Sequence, residues 1–184
     1  MGKPRVVVFL ADGFEEVEAV TPIDYLRRAG ADVTVAGVGT SAPVGARGIG
    51  VAADTAAESL DFQPDCIVLP GGMPGSANLA QSEAVRDACR DLVVAGGVLA
   101  AICAAPAVVL GPLGLLDGKN FTCYPGFEER VSGAIASERR VVTDGSIITA
   151  RAAGTAGEFA MAVIQALFDA ETARKVAEAV LLHH

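Results

Sequence analysis

A cysteine stands where one apolar run ends and another begins, in Leu99-Ala100-Ala101-Ile102-Cys103-Ala104-Ala105-Pro106. A buried strand, then small residues, then a helix is the grammar of a nucleophile elbow, which lifts a reactive side chain onto a tight turn. A thiol there faces the first free N–H groups of the helix and the positive end of its dipole, both of which favour thiolate. The position equally suits a small buried hydrophobe, the ordinary state of a free cysteine. Two other stretches carry groups that could serve the thiol. Glu15, Glu16 and Glu18 open a helix, and acidic residues complementing its dipole account for Glu15 or Glu16. Glu18 lies a turn further in, either as a plain surface charge or, the preferred reading, on the face that can lean towards the sheet. Burial beside a thiol raises its pKa, so that it holds a proton, donates it to the sulfur in a hydrogen bond and shuttles it. Pro70-Gly71-Gly72-Met73-Pro74-Gly75 exposes backbone N–H groups that suit an oxyanion, or is a plain turn.

The histidines narrow the chemistry. There are two, His183 and His184, and adjacent terminal histidines read as the remnant of a purification tag. A Cys-His or Ser-His-Asp site then has no base. Cys103 must work with a carboxylate, a helix dipole or a neighbouring hydroxyl. Tyr124 offers the last, or packs with its hydroxyl simply satisfied. Cys66 reads as core, Cys89 as core or half-exposed, and Cys123, beside Tyr124, as a candidate second redox thiol. The four cysteines show no metal-ligand spacing, so neither metal nor cofactor is expected.

These groups need a frame. Arg5–Leu10 is a β-branched run typical of a strand buried on both faces. A helix over Glu15–Ala29 follows, ended by Gly30, with Pro22 expected to kink or restart it. Asp32–Gly37 is a second strand, and the βαβ unit calls for a parallel sheet. Val44–Val51 is read as a short hairpin. Further strands are expected at Asp65–Leu69, Val98–Ile102 and Lys119–Cys123, with helices over Ala77–Ala95 and Ala104–Leu110. Asp144-Gly145 marks a hairpin between Arg140–Asp144 and Ser146–Ala150. Helices over Thr155–Phe168 and Glu171–Leu182 end the chain. In open α/β sheets, ligands bind outside the carboxyl ends of strands at a switch in strand order. The loops Asp12–Glu18, Gly71–Gly75 and Cys103–Pro106 all leave such ends, and converge if their strands are neighbours.

With 184 residues, 52% hydrophobic composition and 21 glycines, one domain with many tight turns is expected. A net charge of −8 argues against nucleic acid or an anionic membrane as partner. No apolar run reaches a membrane span or a signal peptide's core. Thiols without an export signal make the cytoplasm the expected compartment.

Taken together, these residues resemble the ThiJ/PfpI superfamily, and within it the DJ-one branch. The likeness is carried by FLADGFEEVEAVTPID, VLPGGMPG, AAICAAP and TDGSIITARAAGTAGEFA, and runs nearly end to end. It implies a flavodoxin-like, doubly wound, mostly parallel sheet with helices on both faces, a single domain over 1–184 and a homodimer. It makes Cys103 the nucleophile and oxidisable thiol, Glu18 its hydrogen-bonding acid, and Gly72 and Ala104 the backbone donors. Gly71, Ala105, Tyr124, Arg27 and Arg151 would line the site, the arginines partly from a dimer mate; Arg151 otherwise reads as a strand-end surface cation. The human-type branch has a histidine where Tyr124 stands, whereas bacterial-type relatives are similar to this chain in reading CYP. The protease-like branch carries a histidine directly after its cysteine, where this chain has Ala104, and amidotransferases of this fold need a downstream His-Glu pair. Neither activity is expected. The resemblance implies a glutathione-independent glyoxalase III or deglycase acting on methylglyoxal-type 2-oxoaldehydes and their adducts. The rival is an oxidative-stress sensor or protective chaperone in which an oxidant converts Cys103 to sulfinate. A degenerate member kept for an interaction surface is a third option.

Overall fold

Alternate residues of the first strand face opposite ways, and all but Arg5 at its start are buried. Val6, Val8 and Leu10 pack with one core, Val7 and Phe9 with the other. That two-sided burial requires helices on both faces of the sheet. The structure is a computed structural model and describes residues 2–182; His183 and His184, with the tag reading, lie outside the described residues.

The strands are β1 (Arg5–Ala11), β2 (Asp32–Val38), β3 (Thr55–Ala56), β4 (Cys66–Leu69), β5 (Val98–Ile102), β6 (Asn120–Phe121), β7 (Ile135–Ala136), β8 (Val141–Asp144) and β9 (Ile147–Ala150). The helices are α1 (Glu16–Ala29), α2 (Gly75–Gln81), α3 (Glu83–Val94), α4 (Ala156–Leu167) and α5 (Ala170–Ala179). The main sheet runs β3-β2-β1-β4-β5-β9-β8, parallel except for the β8–β9 hairpin. Helices α1, α4 and α5 cover one face, through Ala19, Leu26, Phe159, Val163 and Val176. Helices α2 and α3 cover the other, through Leu79, Val85 and Leu92. The chain is a single flavodoxin-like domain. It winds outward from β1 through β2 to β3, then crosses back to add β4 on β1's other side. The switch point lies between β1 and β4, and the loops after β1, β4 and β5 meet there.

Several sequence expectations are corrected. Helix α1 runs unbroken through Pro22, whose missing N–H takes away only the bond to the Glu18 carbonyl. The long helix expected over Ala77–Ala95 is two, because Ser82 is extended and its hydroxyl accepts from the Val85 N–H at 3.4 Å as the cap of α3. After the elbow comes a five-residue π-helix, Pro106–Leu110, instead of an α-helix from Ala104; the Gly111 N–H reaches back to the Pro106 carbonyl at 3.0 Å. The Val44–Val51 hairpin is reduced to one bridge, Val44 to Gly50. The strand expected at Lys119–Cys123 is β6, two residues long and paired with β7 in a small separate sheet. No helix among the described residues is long and apolar enough to cross a membrane.

Candidate active site

Cys103 ends β5 with φ 64°, the left-handed region that a non-glycine residue enters at a cost and that marks functional turns. Hydrogen bonds hold it there. Its N–H donates to the Ala150 carbonyl at 2.9 Å, and its carbonyl accepts from the Tyr124 N–H at 2.8 Å. The sheet thus fixes the elbow from β9, and the segment after β6 fixes it from above.

Glu18, in the first turns of α1, is 1% exposed. Its Oε2 accepts from the Gly71 N–H at 2.9 Å, and the Ala153 N–H also reaches the carboxyl. The carboxyl is hydrogen-bonded to the Cys103 thiol, and the N–H groups of Gly72 and Ala104 point at the same sulfur. Gly71 is wedged between the two side chains. A Cβ there would sit 2.5 Å from Cys103 Cβ and 2.5 Å from Glu18 Oε2, so no side chain fits. At Gly72 (φ 87°) a Cβ would meet the Glu15 nitrogen at 2.5 Å, which locks the loop after β4 against the loop after β1.

Burial raises the Glu18 carboxyl to about 7, against the hydrogen bonds from Cys103 and Gly71. Burial also raises the Cys103 thiol, to about 12, and the charge on Glu18 pushes it the same way. The thiolate-favouring helix expected from sequence is outweighed. The element after the elbow is one π turn, its dipole is short, and the Gly72 and Ala104 N–H groups do not offset burial. The two groups titrate as a pair: two protons below about pH 7 and one between about 7 and 12, shared between oxygen and sulfur.

The thiol opens into a cavity of about 320 Å³ lined by Glu15, Arg47, Met73, Tyr124 and Phe127 among others. Tyr124 stands edge-on to Phe127, ring centres 6.0 Å apart. Arg47 lies 4.0 Å from the Glu15 carboxylate, and its backbone N–H is held at 2.6 Å by buried Glu16. Arg47, Phe127 and the Ala153 N–H were not expected from the sequence. They sit in loops without periodicity, and only the run of glutamates facing a glycine-rich loop hinted at a basic partner.

The other expected site residues divide. Gly71 is at the site, between the thiol and the carboxyl, whereas Ala105 is fully buried in the core beneath the elbow. Within the chain, Arg27 is at the far end of α1, where it bonds the Val33 carbonyl at 3.0 Å and lies 3.6 Å from Asp54. Helix α1 carries it to the amino ends of the strands, away from Cys103; the resemblance places it at the site partly from a dimer mate. Arg151 lines a separate cavity with Cys123. Cys66 and Cys89 are core. Among the described residues no cluster of His, Cys, Asp and Glu is placed to hold a metal ion.

A mostly parallel α/β sheet with a strained cysteine elbow and a buried carboxylic acid near its switch point is the arrangement the chain presents. The chain belongs to the DJ-1/PfpI family, whose sequence profile matches residues 4–166. It is 44% identical over 181 residues to protein DJ-1 homolog A of Arabidopsis thaliana, covering 96% of this chain and 46% of that protein. The chain thus spans less than half the length of the plant relatives it matches. It is 30% identical to the glutathione-independent glyoxalase DJR-1.2 of Caenorhabditis elegans, covering 90% of this chain and 89% of that one. The structure of oxidized Toxoplasma gondii DJ-1 superposes with a TM-score of 0.95 at 38% identity, covering 98% and 100% of the two chains.

Proposed function

We propose that the protein is a cysteine-dependent, glutathione-independent glyoxalase III or deglycase acting on methylglyoxal-type 2-oxoaldehydes and their adducts. The observation that carries this reading is the Cys103–Glu18 pair, flanked by the Gly72 and Ala104 N–H groups, at the mouth of a cavity of about 320 Å³. The glyoxalase name of the worm relative supports it.

With one proton in the pair, Glu18 carboxylate takes the thiol proton as sulfur bonds to the aldehyde carbon. The carbonyl oxygen becomes an oxyanion facing the two N–H groups, then takes that proton from Glu18 to give a hemithioacetal. Glu18 next removes the proton on that carbon while the ketone oxygen takes up a proton, giving an enediol; the proton returns to the neighbouring carbon as the first hydroxyl gives up its own, leaving a lactoyl thioester. Water adds to the thioester, the C–S bond breaks, the sulfur is reprotonated and lactate leaves. Methylglyoxal and water have become lactate, with no metal or glutathione in the balance.

The same donors favour a second reading. Two equivalents of peroxide would oxidise Cys103 to a sulfinate, which the Glu18 acid and the two N–H groups are arranged to hold, and the protein would act as a sensor. Lactate release from methylglyoxal without glutathione, lost in Cys103→Ser, is the expected result. No lactate, together with a clean gain of two oxygens at Cys103 after peroxide, would replace the first reading by the second.

A further inference from the structure

The cavity over Cys103 is larger than the smallest substrate of the proposed reaction requires. It measures about 320 Å³. Methylglyoxal has five non-hydrogen atoms, which at the roughly 30 Å³ of a liquid water molecule each would fill less than half of it. With sulfur on the aldehyde carbon and the carbonyl oxygen at the Gly72 and Ala104 N–H groups, the group on the ketone carbon is left to occupy the rest.

That space has two unlike walls. Glu15 and Arg47 form one, their opposite charges 4.0 Å apart. A charged substituent drawn to either of them is opposed by the other. Met73, Tyr124 and Phe127 form the second wall. Met73 is 48% and Tyr124 47% exposed, so neither serves the core, and exposed apolar side chains sharing one cavity mark a ligand-binding surface. Both rings are set in place beforehand. Tyr124 stands edge-on to Phe127, and the Arg130 guanidinium lies over the Phe127 ring, 4.4 Å from its centre, in a cation–π contact made from outside the cavity lining. A ligand packing on rings already held has little further ordering to impose.

We propose that this apolar wall makes the site selective for 2-oxoaldehydes whose ketone carbon carries an aromatic ring, in preference to methylglyoxal. The selectivity rests on the glyoxalase reading above. Phenylglyoxal would follow the same route: sulfur bonds to the aldehyde carbon, hydrogen passes to the ketone carbon through the enediol, water cleaves the thioester and mandelate leaves. The aldehyde carbon is oxidised and the ketone carbon reduced, so no outside oxidant or reductant is needed.

The test compares initial rates of lactate formation from methylglyoxal and mandelate formation from phenylglyoxal, without glutathione. Wild-type kcat/KM should be at least about tenfold higher for phenylglyoxal, through a lower KM, the gain expected from packing a ring against an apolar wall. Tyr124→Ala and Phe127→Ala should each cut the phenylglyoxal-to-methylglyoxal ratio about tenfold, while Tyr124→Phe, which keeps the ring, should preserve it. Both substrates are compared within each enzyme, so partial loss of folded protein leaves the ratio intact. A wild-type ratio at or below one, or a ratio that both alanine variants leave unchanged, would overturn the proposal while the glyoxalase reading stands. An NMR titration with the unreactive ketones 2-hydroxyacetophenone and hydroxyacetone separates the two claims. Tighter binding of the aryl ketone without turnover of either aldehyde would support the wall's preference and count against the glyoxalase reading alone. Equal binding of the two ketones would overturn the preference itself.

Discussion

Glu18 carries a cost that can be read from pH. Its carboxyl titrates near 4.5 when unfolded and near 7 in the folded protein. Between those values the folded state holds a proton that the unfolded state has lost. The associated stability is full below about pH 4.5 and is lost as pH rises through about 7. The shift is worth about 3 kcal/mol, so urea denaturation of wild type minus Glu18→Gln should change by that order between pH 4.5 and 8. A constant difference across that range would mean that Glu18 titrates normally. Cys103, Glu18 and the Gly71-Gly72 loop were legible because chemistry ties residue type to position: an elbow needs small neighbours, and a site without histidine needs an acid. Within the chain Arg27 and Arg151 lie apart from Cys103, and the resemblance brings them to the site partly from a dimer mate, a placement that no spacing within one chain encodes.

At the level of elements, the site depends on how closely two loops approach. Gly71→Ala would place a methyl group into both halves of the thiol–carboxyl pair. We expect it to cost about 1–3 kcal/mol, as overpacking does, and to abolish turnover even where the fold survives. Chemical denaturation and the lactate assay check both parts. Ser82→Ala, far from this chemistry, should cost about 1 kcal/mol by removing the cap of α3 and leave turnover unchanged. The strands and most helix ends were readable from β-branched runs and from Gly30. The Ala77–Ala95 stretch was not, since a serine inside an alanine-rich run breaks no periodicity, and its effect comes from the capping bond to Val85. The π-helix after the elbow was hidden for a related reason: an apolar run fits a π turn as well as an α turn, and Pro106 does not distinguish them.

Across the whole molecule, the sheet is anchored at its centre. β1, β4 and β5 are buried along nearly their whole length, whereas the β6–β7 pair is two residues a side and exposed at all but Phe121. Hydrogen exchange should find the Val8, Val68 and Ala100 amides opening only with global unfolding, and Phe121 and its neighbours opening locally and faster. Equal protection in both regions would contradict that division. The α/β class and parallel sheet followed from βα alternation. The strand order did not, because the placement of β4 beside β1 is a tertiary choice, and the convergence of three loops was conditional until that order was known.

The most direct measurement is the pH dependence of kcat/KM for methylglyoxal, without glutathione, in wild type and Glu18→Gln. The account predicts that wild-type activity rises through about pH 7 as the pair loses its first proton, while the variant is roughly 10²–10⁴-fold slower, the loss expected without general acid–base catalysis, and lacks that rise. A variant that kept the wild-type rate and profile would contradict the claim that Cys103 and Glu18 act as one acid–base pair.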